Sequence, residues 1–156
     1  MSHESSAPRA VADLTEGLIL ATVEVAAPLE RVFEALASRD ITAWWVRPGV
    51  FDTREWSGEV RVGGAWRASG IGGGRPYALE GEFTEVDRPR KLTHTWRAVG
   101  SPAASTHVSY LLEKVEGQTR ITLRHAGFTS RETCLNTCRG WETSFDELAK
   151  VLAAGR

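Results

Sequence analysis

The sequence predicts an α+β domain in which a strongly curved antiparallel sheet of about seven strands wraps around one long C-terminal helix. Three observations carry this prediction. Between Val50 and Ala126, runs of strand chemistry roughly 6 to 10 residues long are separated by turn residues. After Thr129 the period changes, and Leu135, Cys138, Trp141, Phe145, Leu148 and Leu152 recur at steps of three and four as one apolar stripe. The sheet has one apolar face to hide, and no other segment is long enough to cover it.

Residues 1–13 are small and polar and read as a flexible N-terminal tail, which leaves 14–156 as a single domain. Leu18 to Val25 is rich in aliphatic and β-branched residues and reads as the first strand. Two short helices follow. In the first, Pro28 fits an initial helical position, and Val32, Phe33 and Leu36 fall at helical spacing. The second covers ITAWW, is expected to be capped by Asp40, and ends before Pro48.

The clearest later strands are Leu79–Val86, Leu92–Arg97, Thr106–Val115 and Thr119–Ala126. Leu92, His94 and Trp96 share a face, as do Val108, Tyr110 and Leu112, and Ile121, Leu123 and His125. Their opposite faces carry Thr, Ser, Arg and Glu, so one side is buried and the other wet. Thr129 and Glu132 form a capping-box pattern for the long helix, and Gly155 is a plausible stop.

The stretch GGAWRASGIGGG, residues 63–74, invites a phosphate-binding reading. A dinucleotide fingerprint starting at Gly70 would need glycine at 75, where Arg75 stands, and no Gly-Lys-Ser/Thr ending exists. Both motifs also require a helix after the loop, and here both flanks read as strands. The two glycine clusters are therefore expected to be turns at either end of a strand, Ala65–Ser69, that carries Trp66.

A net charge of −1 with interspersed signs excludes the basic footprint of a nucleic-acid binder, and no polybasic run argues for a membrane surface. With no signal-peptide pattern and two cysteines, the expected setting is cytoplasmic and reducing. Cys134 and Cys138 lie four apart on a helix, but no further ligand spacing supports a metal, so both are expected to be structural. No nucleophile elbow is present, and Glu80 and Glu82 share a strand face as solvated acids rather than a catalytic pair. His107 reads as solvated. His94 and His125 fall on buried faces. Their plainer reading is hydrogen-bonded interior histidines, and in a binding site they would supply polar anchors.

The landmarks together resemble a known superfamily. AAPLERVFEAL, ITAWW, RVGGAWR, GEFTEVDRPRKLTHTW, GQTRITLRHAGF and GWETSFDELAKVL match, in order, the elements of the START-like (SRPBCC, helix-grip) superfamily. Within it the chain is most similar to the activator of heat shock protein 90 ATPase homologues of the C-terminal-domain type. The resemblance covers nearly everything after Gly17 and implies a cavity between the long helix and the sheet.

Six tryptophans in one small domain suit such a cavity, since mostly apolar walls with a few polar groups are how small-molecule sites are built. The expected function is binding of a small, largely hydrophobic molecule by Trp45, Trp66, Trp96, Tyr110 and Trp141, with His94 and His125 as anchors. No catalytic residue, cofactor or metal is assigned, and the chain is expected to act as a monomer or homodimer. The resemblance leaves two alternatives: a co-chaperone-like role with a chaperone partner, and a cavity enzyme of the cyclase or dehydratase type.

Overall fold

The computed structural model describes residues 7–154. Nine strands form one continuous antiparallel sheet, in the order β1-β2-β9-β8-β7-β6-β5-β4-β3. The strands are β1 (Arg9–Asp13), β2 (Leu18–Val25), β3 (Val46–Arg47), β4 (Phe51–Gly58), β5 (Ala65–Gly72), β6 (Arg75–Asp87), β7 (Lys91–Ala98), β8 (Thr106–Val115) and β9 (Gln118–Ala126). The helices are α1 (Leu29–Leu36), α2 (Ile41–Trp44) and α3 (Arg131–Ala153). Helix α3 packs against β1 and β2 at one end of the strand order and against β3 at the other, so the sheet curls around it. This is the helix-grip architecture that the resemblance implies.

The curl has local causes. The ladder slips between Thr53 and Glu55 in β4, and between Phe83 and Glu85 in β6. Such irregularities bend a strand and increase its twist. At Gly70 a Cβ would collide with the Asp52 carbonyl oxygen on β4, so only glycine permits that approach. Strand β5 accordingly runs on through Gly72, beyond the expected end at Ser69, and the turn into β6 is made by Gly73 and Gly74, at φ of 58° and 78°.

The sheet has nine strands rather than about seven, and the additions are the shortest ones. β3 has only two residues. β1 occupies residues 9–13, which the sequence assigned to a tail, and its side chains are mostly exposed, so it carries no apolar alternation to read. What orders it is backbone pairing with β2 and a tight turn in which the Asp13 carboxylate accepts from the Thr15 and Glu16 amides. The Glu142 carboxylate of α3 accepts the Ala10 amide at 3.2 Å. Residues 1–6 of the expected tail, and the expected stop at Gly155, lie outside the described residues.

The core lies between the concave face and α3. It contains Ile19, Val23 and Val25 of β2, Val108, Tyr110 and Leu112 of β8, and Ile121 and Leu123 of β9. Cys134, Cys138, Trp141, Phe145, Leu148 and Leu152 of α3 press onto them. Leu135 is not on this stripe. Cys134 takes the inner position and Leu135, one residue further round the helix, is 37% exposed. Two expected caps also differ. Ser130, not Thr129, caps α3 by accepting from the Thr133 amide at 3.1 Å, because the helix begins at Arg131. Asp40 makes no cap hydrogen bond, and its carboxylate instead pairs with Arg31 at 2.7 Å.

Candidate functional site

Between α3 and the β3–β6 half of the sheet lies a pocket of about 540 Å³. Its inner wall is made by Trp45, at the end of α2, Trp96 of β7 and Trp141 of α3. The three rings form a continuous cluster, with centroids 4.9 Å apart for Trp45–Trp96, 5.6 Å for Trp96–Trp141 and 6.3 Å for Trp45–Trp141. Phe51, Tyr77 and Leu79 line the sheet side, and Arg47 and Val50 stand on the β3–β4 hairpin. From α3 come Asn136, Thr137, Gly140 and Ser144, a small and polar row beside the apolar stripe.

The polar groups of the sheet side form a directed chain. Thr53 Oγ1 donates to the Trp45 carbonyl at 2.8 Å, so it must accept from the Tyr77 hydroxyl, its other partner. Burial, opposed by that hydrogen bond, pushes the Tyr77 hydroxyl pKa upward, so it stays a neutral phenol. No carboxylate, imidazole, thiol or amine is among the described lining residues.

A family model described as "Activator of Hsp90 ATPase homolog 1-like protein" matches residues 26–153. The chain belongs to this family. No curated protein sequence matches it. Among solved structures, protein Ms6760 from Mycobacterium smegmatis superposes with a TM-score of 0.79 at 20% identity, covering 92% of this chain and 95% of that one. A protein from Arthrobacter aurescens gives 0.80 at 20% identity, covering 96% and 93%. The AHSA1 protein from Silicibacter pomeroyi gives 0.74 at 24% identity, covering 89% and 99%. At these identities the likeness establishes the START-like fold and no activity.

In this AHSA1-family chain, the expected site residues separate into two layers. Trp45, Trp96 and Trp141 line the pocket, whereas Trp66, His94, Tyr110 and His125 do not and lie buried in the core. Trp66 donates its indole N–H to the Thr95 carbonyl at 3.1 Å and packs edge-on to Trp45. Tyr110 Oη and Trp45 Nε1 are neighbours in the interior, and neither has a hydrogen-bond partner of good geometry among the described residues. Burial holds the Tyr110 phenol well above its usual pKa.

The histidines are internal structural members. Trp141 Nε1–H donates to His125 Nδ1 at 3.0 Å, which leaves the proton of the neutral ring on Nε2. Nε2–H then donates to Thr106 Oγ1 at 2.6 Å, and Thr106 donates onward to the Trp96 carbonyl at 3.2 Å. Both ring nitrogens are thus used inside the protein. Burial, reinforced by His94 and His107, lowers the His125 pKa to about 3. His94 donates Nδ1–H to the Thr95 carbonyl at 2.8 Å, and burial lowers its pKa to about 4.

Cys134 and Cys138 are free buried thiols whose pKa values burial raises, which keeps them protonated. Among the described residues no group of three or more His, Cys, Asp or Glu comes together to hold a metal, and no helix is long and apolar enough to cross a membrane.

Sequence reasoning missed Arg47, Thr53, Tyr77 and the row on α3. For that row a signal existed. Asn136, Gly140 and Ser144 recur every fourth residue beside the core stripe, and small or polar residues on a helix face turned toward a sheet leave volume unfilled.

Proposed function

We propose that this protein binds a small, largely hydrophobic molecule in the pocket between α3 and the β3–β6 half of the sheet. The observation that carries this reading is Gly140. Glycine inside a helix costs about 1 kcal/mol relative to alanine. Gly140 sits in the middle of the 23-residue α3, and a Cβ built there meets nothing within 4 Å. Packing within the protein does not require glycine at this position. The bare backbone lines the pocket and keeps its volume open for something else. The chaperone-partner reading draws on the family's name, and the turnover reading on the fold, whereas the binding reading draws on this chain's own residues.

Two substitutions test it with the neutral fluorescent probe N-phenyl-1-naphthylamine. Gly140→Ala is expected to stabilise the protein by about 1 kcal/mol, raising Tm by roughly 2–4 °C. Gly140→Leu fills the pocket and is expected to abolish the probe's fluorescence gain without lowering Tm. Undiminished probe binding by Gly140→Leu, or no binding by the parent protein, would refute the proposal.

A further inference from the structure

Resting on the binding reading above, we infer that the ligand is an amphiphilic anion, with a carboxylate-type head group held by Arg47 and an apolar body against the tryptophan wall. Arg47 is the one charged side chain among the described residues that line the pocket. Three arginines are half-buried among the described residues: Arg31, Arg47 and Arg120. Arg31 pairs with Asp40 at 2.7 Å, and Arg120 with Glu24 at 3.1 Å. Arg47 has no carboxylate within ion-pair range among the described residues. The acid nearest to it in the strand register, Asp52 on β4, is engaged by Arg54 at 3.1 Å.

A guanidinium taken partly out of water needs an anionic partner, and its planar fork matches a carboxylate with two parallel hydrogen bonds. Arg47 is held in place by pairing with Phe51 across the β3–β4 hairpin, so the charge stands beside the apolar lining rather than on a free loop. The hydroxyls on the same side do not compete for an anion. Tyr77 spends its only proton on Thr53, and Thr53 spends its own on the Trp45 carbonyl, so both offer lone pairs alone. An acidic head group is therefore directed to Arg47, and the walls beyond it accept an alkyl or aryl body.

The test is displacement of N-phenyl-1-naphthylamine by decanoate and by decan-1-ol, which share a chain and differ in the head group. Arg47→Gln is expected to weaken decanoate by about tenfold or more, the usual worth of a charge-assisted bond, and to leave decan-1-ol within about twofold. Arg47→Lys, which keeps the charge and loses the fork, is expected to fall between them. Unchanged decan-1-ol and probe binding shows that the variant is folded. Equal losses for both competitors, or no loss for decanoate, would overturn the role of Arg47 while leaving the binding reading intact. If the parent protein fails to bind the probe, the binding reading falls, and this inference with it.

Discussion

Acidification from about pH 7.5 to pH 4.5 is expected to remove about 5 kcal/mol of stability, a large share of the roughly 5–15 kcal/mol that folded domains hold in reserve. The cause is the buried pair of histidines. In the unfolded chain each titrates near the ordinary value of about 6.5. In the folded protein burial lowers His94 to about 4 and His125 to about 3. Between those values and 6.5 the unfolded state binds more protons than the native one, so acid favours unfolding. The stability is fully present above about pH 6.5 and is lost as pH falls below it, each histidine contributing a slope of up to about 1.4 kcal/mol per pH unit. About 3 kcal/mol is expected to be gone by pH 5.5, before the carboxylates contribute. Urea unfolding at a series of pH values measures this directly. His125→Gln should remove about half of the slope, whatever it does to stability at pH 7.5. A stability that stays flat from pH 7 to 5 would mean that neither histidine is held neutral by the fold.

Replacing Trp141 by alanine is expected to cost about 3–5 kcal/mol, the range for large aromatic truncations in cores. The ring lies within 6.4 Å of Trp44, Trp45, Trp96, Tyr110, His125 and Phe145, measured between centroids. It joins the core to the pocket wall, so the void left by alanine would open onto the pocket. Trp141→Phe separates packing from hydrogen bonding. It keeps a ring but orphans His125 Nδ1, at an expected cost of about 1–3 kcal/mol. It also removes a bond that favours the neutral imidazole, so the His125 pKa should rise. NMR titration of the ring in Trp141→Phe should follow that rise directly. An unchanged His125 pKa would show that the indole N–H does not set its protonation.

The two faces of β7, β8 and β9 were legible because alternation in a half-buried strand has a strict period of two. Depth along the concave face was not. His94 and Trp96 share a face of β7, as their spacing requires, yet Trp96 reaches the pocket while His94 lies in the core. Parity reports which side a residue is on. It does not report whether α3 lies directly above that residue or leaves a gap there. For the same reason Tyr110 and His125, correctly placed on the inner face, fall behind the pocket wall. β1 and β3 were invisible because edge pairing is made by backbone groups, which any residue but proline supplies in full.

By itself the sequence determined the fold class, the order of most elements and the inner and outer faces of the sheet. Those properties follow from periodicity and turn chemistry, which act over a few residues. It also excluded a phosphate loop at residues 63–74, since the glycines there have strand rather than helix on both sides. Only the tertiary structure decided where the open volume lies. That volume is the mismatch between a curled sheet and one helix, and it depends on bulges in β4 and β6 and on a bare backbone at Gly140. The same packing drew the histidines into the hydrogen-bonded core and left Arg47 on the pocket wall without a carboxylate among the described residues, because both outcomes depend on which distant side chains arrive beside them.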